Sequence, residues 1–403
     1  MKQICKWGAL LFLCLLLLTA CGEPAAETAA QTAAPEVTLM METLAPIPEP
    51  TLYTLRFVAA GDNMAYFGNV RDAAQNAKGT GKKYDFTPSY TDVKAFIADY
   101  DLRFINQETL MCGEGFDLSY YPRFNSPTEL GDAVIDAGFN IVGLANNHML
   151  DMGERGMLAA LDYWDAQSGI THIGSYHDRA EFDEIQVIEK NGISIALLAF
   201  TYGTNGISLR AGAEAYVPYL DEDTVREKVL EAEKLADLTV VSVHWGNENT
   251  FTPTGEQRKY ANLITECGGD VILGHHSHCL QPIEWIEAGE NRALCIFSLG
   301  NFMSEMAQDY NILGGMLTFT VEKFGQDGKA KVVDPLFYPT VFDYSRSFYH
   351  NHIYMLTDYT DAQAKAHGIA YYGNHTTLDR LYGYVKKVID SAFLPEAVAN
   401  GGS

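Results

Sequence analysis

The chain has 403 residues, of which 47% are hydrophobic and 20% are charged. This composition is typical of a globular protein with a sizeable core and excludes a largely disordered chain. Its 28 Lys and Arg residues and 52 Asp and Glu residues give a formal net charge of -24, which repels phosphate backbones and argues against nucleic-acid binding.

Residues 1–20 have the features of a secretory signal peptide. Lys2 and Lys6 precede an apolar stretch that ends at Ala20 and is shorter than the roughly 20 apolar residues of a membrane-spanning helix. The sequence Leu18-Thr19-Ala20-Cys21-Gly22 resembles a bacterial lipoprotein box, in which cleavage precedes an acylated cysteine. The resemblance predicts a lipid anchor on Cys21 at the extracellular face of the cytoplasmic membrane. The alternative is an ordinary cleaved signal in which this cysteine has no role.

Residues 21–50 are predicted to be an acidic tether that begins at the lipidated cysteine. The segment after Cys21 is rich in Ala, Thr, Glu and Pro and contains no Lys or Arg. It has no sustained apolar period, so burial cannot repay the entropy of ordering it. We therefore expect the folded domain to start near residue 51.

From residue 51 onward, short apolar runs alternate with longer segments of helical spacing. This alternation is typical of an α/β layered domain. Two tetrapeptides, Ser126-Pro127-Thr128-Glu129 and Thr254-Gly255-Glu256-Gln257, have the pattern of helix capping boxes, and Gly138 and Gly268 stand where helix C-caps belong. The predicted strands are Leu52–Ala60, Leu102–Asn106, Asn140–Leu144, Ile193–Phe200, Leu238–Val243, Asp270–Leu273 and Ala293–Ser298.

The pattern weakens after Ser304. Strands are predicted near Gly315–Glu322 and Lys331–Phe337, and a helix over Thr377–Phe393. We assign residues 51–345 to one domain and residues 346–403 to a C-terminal helical extension, whose role the sequence does not indicate. The four cysteines beyond residue 21 are irregularly spaced and predict no disulfide framework.

Polar side chains follow five of the predicted strands at the point where each strand ends. If these strands pair mainly in parallel, their carboxyl ends meet at one edge of the sheet, where ligands bind in open α/β folds. The donors are carboxylates, an amide and imidazoles, a mixture that suits Mn, Fe or Zn better than Ca or Mg. The side chains are Asp62, Glu108, the pair Asn147-His148, His244, and the run His275-His276-Ser277-His278.

Two ions that lie about 3.5–4 Å apart and share a bridging carboxylate can bind the oxygens of an ester and generate a hydroxide nucleophile. Phosphoester hydrolysis is therefore the natural chemistry of such a site. Taken alone, Asp62 is also compatible with a turn or helix cap. His148 is followed by Asp151, which either fixes the imidazole for general acid catalysis or caps the next helix. His276 and His278 lie on either side of Ser277, just after a predicted strand that ends in a glycine, and this placement favours metal ligation. The role of His275 is ambiguous.

Six ordered motifs between about residues 54 and 305 resemble those of the bacterial capsule synthesis protein CapA family. This family includes the poly-γ-glutamate synthesis accessory proteins and is related to the calcineurin-like metallophosphoesterases. The resemblance implies a four-layer αββα sandwich with a metal site at one edge. The motifs are Gly61-Asp62, Asn106-Gln107-Glu108, Leu144-Ala145-Asn146-Asn147-His148 with Asp151 and Gly153, His244-Trp245-Gly246-Asn247-Glu248, Gly274-His275-His276-Ser277-His278 and Ser298-Leu299-Gly300-Asn301-Phe302.

Position by position, the resemblance also implies roles for single residues. His148 resembles the leaving-group acid of the superfamily, oriented by Asp151, and Glu108 resembles the residue that bridges two ions. The substrate-binding candidates are Arg123, Glu248, His275 and Asn301, of which Glu248 holds either a substrate amine or a metal-bound water. The metal ligands implied by the resemblance are Asp62, Glu108, Asn147, His244, His276 and His278.

The chain departs from the superfamily pattern in two motifs. The superfamily opens with Asp-x-His, but this chain has Asp62-Asn63-Met64, so one imidazole is missing. The usual Gly-Asp-x-x-Asp motif is replaced by Asn106-Gln107-Glu108. His275 is a candidate to compensate, and occupancy of both metal positions stays open at this stage.

Three functions follow from these observations. The first is an extracellular, lipid-anchored, metal-dependent hydrolase or transferase that acts on a phosphoester, or on an amide of the cell wall or of a capsule polymer such as poly-γ-glutamate. The second is a non-catalytic accessory that binds the anionic polymer through a metal bridge and couples membrane synthase subunits to export. A purely structural wall protein is the third, and it leaves the strand-end histidines unexplained.

Overall fold

The computed structural model describes residues 51–326 and 328–402. The predicted signal peptide, Cys21 and the acidic tether lie outside these residues. These described residues form one compact unit. Within the described residues no helix has both the length and the apolar character needed to cross a bilayer.

Two β-sheets form the centre of the domain. The strands are β1 (Leu52–Asn63), β2 (Leu102–Gln107), β3 (Ile141–Gly143), β4 (Thr171–Ile173), β5 (Gln186–Lys190), β6 (Ile193–Thr201), β7 (Leu238–His244), β8 (Val271–His275), β9 (Leu280–Ala288), β10 (Asn291–Leu299), β11 (Asn301–Met303), β12 (Leu313–Phe324), β13 (Lys331–Asp343) and β14 (His352–Met355). The larger sheet has the order β14-β13-β12-β1-β2-β3-β4, with β11 beside β1, and the smaller sheet has the order β5-β6-β7-β8-β10-β9.

Most of the helices connect parallel strands and cover the outer faces, whereas the last three follow the final strand of the chain. The helices are α1 (Phe67–Asn76), α2 (Thr91–Ile97), α3 (Glu129–Ala137), α4 (Gly153–Asp165), α5 (Arg179–Asp183), α6 (Glu222–Leu235), α7 (Gly255–Glu266), α8 (Asp361–Ala366), α9 (Leu378–Val388) and α10 (Glu396–Ala399). Short 3₁₀ turns lie at Thr87–Tyr90, Gly368–Tyr372 and Ser391–Phe393.

The layers follow from the direction of the strands. Strands β1 to β4 run parallel, as do β6, β7 and β8. Connections between parallel strands are normally right-handed, which puts the connecting helices on one face of each sheet. The other faces meet, so that Phe57 of β1 and Leu273 of β8 belong to one buried core. On the far side of the smaller sheet, Val229 of α6 and Ile264 of α7 belong to a second buried core together with Phe200 of β6. The four-layer αββα sandwich expected from the resemblance is confirmed.

Continuous apolar runs in the sequence correctly predicted the central strands. Strand β7 is buried at every residue because sheet and helices cover its two faces, and its sequence shows no polar alternation. All seven strands predicted before Ser304 are present. Strands β4, β5, β9, β11 and β14 were not predicted, since β4 and β11 have three residues each and β5 is a mostly exposed edge strand.

One of the two predicted capping boxes is confirmed. Thr254 accepts a hydrogen bond from Gln257 N–H at the start of α7, and the Gln257 side chain bonds back to the cap. The box predicted at Ser126 is wrong, because α3 starts two residues later, with Thr128 as its N-cap. Ser126 Oγ instead donates to Thr109 Oγ1 at 3.0 Å, which ties the loop to the residue after Glu108.

The C-terminal segment contributes more than helices. Strand β14 pairs antiparallel with β13 and so extends the larger sheet. The predicted helix over Thr377–Phe393 corresponds to α9, which ends at Val388, and the Tyr384 ring stacks on Phe251 at 5.6 Å. The four cysteines of the described residues are buried and unbonded.

Candidate metal centre

The carboxyl ends of five parallel strands bring the predicted ligands together. Asp62 lies at the end of β1, and Glu108 follows β2 with its N–H donating to Asn63 O at 3.2 Å. His244 is the last residue of β7, and His276 follows the last residue of β8. Because β1 and β2 are in one sheet and β7 and β8 in the other, the site spans both sheets at one edge.

The ligand atoms form two triplets that share one carboxylate. Glu108, His244 and His276 have ligand atoms within 4.8 Å of one another, and so have Asp62, Glu108 and His278. Glu108 Oε1 lies 3.7 Å from His244 Nε2 and 3.6 Å from His278 Nε2. Glu108 therefore stands where a residue bridging two cations belongs.

Asn147 adds an oxygen donor beside the first of these triplets. Its Oδ1 lies 2.9 Å from His244 Nε2, and its Nδ2 donates to Asn205 Oδ1 at 3.2 Å. The amide oxygen is thereby held toward the imidazoles. A cation held by Glu108, His244 and His276 would therefore have the Asn147 amide oxygen beside it as a candidate fourth donor.

Unpaired buried atoms show that the pocket suits a cation. Within the described residues, neither carboxylate oxygen of Glu108 has a hydrogen-bond partner, although the side chain is buried. Nδ1 of His244 and of His276 is also unpaired. Leaving a buried charged group without a partner costs at least about 1–3 kcal/mol, and a coordinated divalent ion removes that penalty. The donor set of carboxylates, an amide and imidazoles fits Mn, Fe or Zn.

Burial and mutual charge shift the pKa values of the ligands in different directions. Burial raises the pKa of Glu108 well above its ordinary value. Burial also acts to raise the pKa of Asp62, but hydrogen bonds and charge from His275 and His278 outweigh it and lower that pKa. Burial lowers the pKa of His244, and with the charge of His278 it lowers the pKa of His276 to about 3. These two imidazoles are therefore neutral at physiological pH, as ligation requires.

His278 has the opposite shift. Burial acts to lower its pKa, but the adjacent carboxyl groups of Glu108 and Asp62 raise the pKa to about 9. Its Nδ1 lies 3.0 Å from Asn301 Oδ1 and 3.3 Å from Asp62 Oδ2, while Nε2 faces Glu108. A divalent ion bound at Nε2 would replace the proton that these carboxylates now favour.

The loop after β8 holds its histidines in an uncommon backbone conformation. His276 has φ of 89° and His278 has φ of 54°, in the left-handed region that non-glycine residues rarely adopt. The His276 N–H donates to Asp62 Oδ2 at 3.2 Å and so ties this turn to β1. Such conformations persist where surrounding contacts enforce them, typically at functional sites.

His148 is placed for proton transfer beside this centre. Its Nδ1 lies 2.7 Å from Asp151 Oδ2, which also accepts the Phe124 N–H at 2.6 Å. The Phe124 ring meets the imidazole edge to face at 4.8 Å. With Nδ1–H donating to Asp151, Nε2 is directed to the interior of the site, 4.0 Å from Glu108 Oε1.

An open cleft of about 230 Å³ leads from solvent to His148 and Asn147. The exposed side chains of Arg123 and Glu248 line it, as does Tyr121. The predicted substrate candidates thus separate into two groups. Arg123 and Glu248 lie at the cleft, and the remaining two are buried behind the ligands.

His275 and Asn301 form that second group. His275 is fully buried, with Nδ1 3.3 Å from Asp62 Oδ1 and its ring stacked on Phe104 at 5.7 Å. Asn301 is also fully buried and bonds to His278, both through its side-chain oxygen and by donating to the His278 carbonyl at 3.4 Å. Both residues therefore contact ligands and do not line the cleft.

Two further residues contact the centre and were not predicted as site residues from the sequence. Asn106 Nδ2 donates to Asp62 Oδ1 at 2.8 Å, and Tyr202 packs its half-exposed ring on His276 at 4.6 Å. Asn106 lies in one of the motifs already noted, so its position in the strand could have indicated it. Tyr202 directly follows β6 at the same sheet edge, which is a weaker signal.

The fold and site define an α/β sandwich with a candidate two-ion centre whose donors come from the ends of parallel strands. The family model described as bacterial capsule synthesis protein PGA_cap matches residues 56–306, more than half of the chain, and the protein belongs to that family. The resemblance expected from the motifs is confirmed.

Known relatives match part of the chain. It is 30% identical over 192 residues to the PGA biosynthesis protein CapA of Bacillus subtilis, covering 47% of this chain and 49% of that protein. It is 29% identical over 175 residues to the capsule biosynthesis protein CapA of Bacillus anthracis, covering 42% and 41%. The match therefore spans less than half the length of either relative. Among solved structures, a phosphatase of Mycoplasma pneumoniae is similar with a TM-score of 0.46 and 14% identity, covering 72% of this chain and 95% of that one.

Proposed function

We propose that this protein is a lipid-anchored, extracellular CapA-type protein that takes part in the synthesis or export of poly-γ-glutamate or another anionic capsule polymer. Family membership and the names of the two Bacillus relatives support the polymer role. The anchor on Cys21 and the extracellular location rest on the sequence of the first 22 residues. Membrane synthase or export subunits are the partners that this role requires.

We further propose that the metal centre is hydrolytic, acting on a phosphoester or on an amide of the polymer. The observation that carries this proposal is the shared carboxylate of Glu108 between two ligand triplets, beside the His148–Asp151 pair. Bound divalent ions would supply electrophilic stabilisation and an activated water at neutral pH.

The protein's own residues then have distinct tasks. His148 would protonate the leaving group from Nε2, while Asp151 holds the imidazole ring and its tautomer through Nδ1. Arg123, at the mouth of the cleft, would hold a phosphate or carboxylate of the substrate. The phenyl ring of Phe124 packs against the imidazole and restricts its rotation.

A non-catalytic accessory that binds polymer through the metal is the second candidate. One observation favours it: the residues in place of the missing imidazole supply no ligand. Asn63 Nδ2 donates to Gln107 Oε1 at 2.7 Å, its Oδ1 accepts from Tyr90 Oη at 2.7 Å, and Met64 is buried in the core. The net charge of -24 opposes this role, since repulsion over many polymer carboxylates must be offset by few metal contacts.

Activity measurements separate the two candidates. The purified protein would be assayed with Mn, Fe or Zn against p-nitrophenyl phosphoesters and poly-γ-glutamate, together with His276→Ala, His148→Asn and an exposed control, Glu189→Gln on edge strand β5. Turnover that both histidine variants lose and the control retains supports the hydrolase. Absence of metal-dependent turnover, combined with co-purification of synthase subunits that survives His276→Ala, supports the accessory.

A further inference from the structure

The two ion positions of the proposed centre are unequally supplied with donors. The triplet of Glu108, His244 and His276 has the Asn147 amide oxygen beside it, whereas no amide oxygen of the described residues is assigned to the triplet of Asp62, Glu108 and His278. Asn63 and Met64 add nothing, because one is hydrogen bonded away from the centre and the other is in the core. A further donor is therefore needed to equalise the two positions.

His275 is the first candidate for this donor, and the geometry argues against it. Its Nδ1 is close to Asp62 Oδ1, but no group of described residues with ligand spacing joins it to Glu108 or His278. It lies behind Asp62, between the two sheets, with its ring against Phe104. His275 therefore positions Asp62 and does not reach an ion shared with the other ligands.

Glu248 is the second candidate, and its carboxylate is within reach. One of its oxygens lies within 4.8 Å of ligand atoms of both His276 and His278, which belong to different triplets. No group of the described residues contains both Glu248 and Glu108. The two histidines thus lie between a buried carboxylate and an exposed one at the cleft.

The loop that carries Glu248 is fastened to the ligand loop on both sides of this residue. Before it, the Trp245 N–H donates to His275 O at 3.4 Å, and after it the Asn249 N–H donates to Ser277 O at 2.8 Å. Asn311 links the same loops, since its side-chain amide donates to Asn249 Oδ1 at 3.0 Å and to His278 O at 2.8 Å. These bonds keep the glutamate backbone beside the histidines.

We propose that Glu248 is a metal ligand on the open side of the centre and supplies the ion held by Asp62, Glu108 and His278 with the donor that the missing imidazole does not provide. This inference rests on the proposed metal centre. A carboxylate in place of an imidazole adds a third negative charge to the ligand set, which favours Mn²⁺ over Zn²⁺ at this position, because carboxylate-rich sites suit manganese. Its exposure also allows an incoming substrate oxygen to displace it.

Metal binding by the purified full-length protein tests this proposal without any substrate. Mn²⁺ stoichiometry and affinity would be measured by equilibrium dialysis, and coupling between two ions by electron paramagnetic resonance, for wild type, Glu248→Gln, Glu248→Asp and the control Glu189→Gln. We expect two coupled Mn²⁺ ions in wild type and in the control. Glu248→Gln should bind one ion normally and the second at least tenfold more weakly, with partial recovery in Glu248→Asp.

The possible failures are distinguishable. If Glu248→Gln binds two coupled ions with wild-type affinity, the assignment of Glu248 is wrong while the centre itself stands. Equal weakening in Glu189→Gln also overturns the assignment, because the effect is then a general consequence of surface charge. If wild type binds no Mn²⁺, Fe²⁺ or Zn²⁺, the proposed centre is wrong. Far-ultraviolet circular dichroism of each variant verifies that the fold is intact.

Discussion

Replacing Glu108 by Gln should stabilise the metal-free protein and abolish its stabilisation by metal. In the absence of an ion, the buried carboxylate of Glu108 has no hydrogen-bond partner among the described residues. Gln keeps the shape of the side chain but removes the charge. The substitution should therefore raise the free energy of unfolding in chelator and lower the gain on adding Mn²⁺.

The size of the effect follows from the burial. A buried carboxyl group whose oxygens lack hydrogen-bond partners costs about 1–3 kcal/mol, so a gain of about 2 kcal/mol is expected in chelator. For a folded unit of about 350 residues, an unfolding entropy of roughly 2.1 cal/mol/K per residue converts this into a rise of about 3 °C in Tm. Metal at 100 times its Kd should stabilise wild type by about 2.7 kcal/mol, or about 4 °C, and the variant very little.

The pH dependence gives a second readout. Because burial raises the pKa of Glu108 above 4.5, the folded metal-free protein retains a proton that the unfolded chain releases. Stability of wild type should then fall as pH rises above about 4.5, and the advantage of Glu108→Gln should widen from pH 5 to pH 8.

Differential scanning calorimetry in EDTA and in excess Mn²⁺ measures both effects. The order of Tm values should reverse between the two buffers, with the variant more stable in EDTA and wild type more stable in Mn²⁺. A variant that is less stable than wild type in EDTA, or that gains as much from Mn²⁺, would refute the reasoning from the unpaired carboxylate. Glu189→Gln, at an exposed strand position, serves as the control that should follow wild type in both buffers.

Three other substitutions probe separate features. Asp151→Asn should reduce turnover by about 10²–10⁴-fold with unchanged metal content, since His148 loses its orienting carboxylate, and steady-state kinetics with metal analysis check this. Burial raises the pKa of Asp270 to about 7, so this residue should contribute a loss of up to about 4 kcal/mol between pH 4 and 8, and Asp270→Asn should lose that much less than wild type; urea unfolding of both proteins across this range measures the difference. Thr254→Ala removes the α7 capping box and should cost about 1 kcal/mol in urea unfolding without affecting metal binding.

Local patterns predicted the central strands because those strands are buried on both faces. A run such as Val240-Val241-Ser242-Val243 can only be covered by layers on each side, so its presence indicates a sheet between helices and another sheet. Exposed edge strands such as β5 have no such run, because both polar and apolar side chains are tolerated at positions that face solvent. The failure of the Ser126 box has a similar cause, since the serine bonds to Thr109 across the fold and not to the helix that follows it.

The sequence by itself determined the chemistry available to this protein. Neighbouring residues in the sequence indicate where a strand ends. For this reason Asp62, Glu108, His244 and the pair His276 and His278 could be assigned to one edge of the fold before any distance was known. Which of these atoms share an ion depends on how two sheets from distant parts of the chain pack together, and no local pattern contains that distance. Only the tertiary structure therefore decided that His275 lies behind the ligands, that Asn301 is buried against His278, and that the loop of Glu248 is bonded beside the centre.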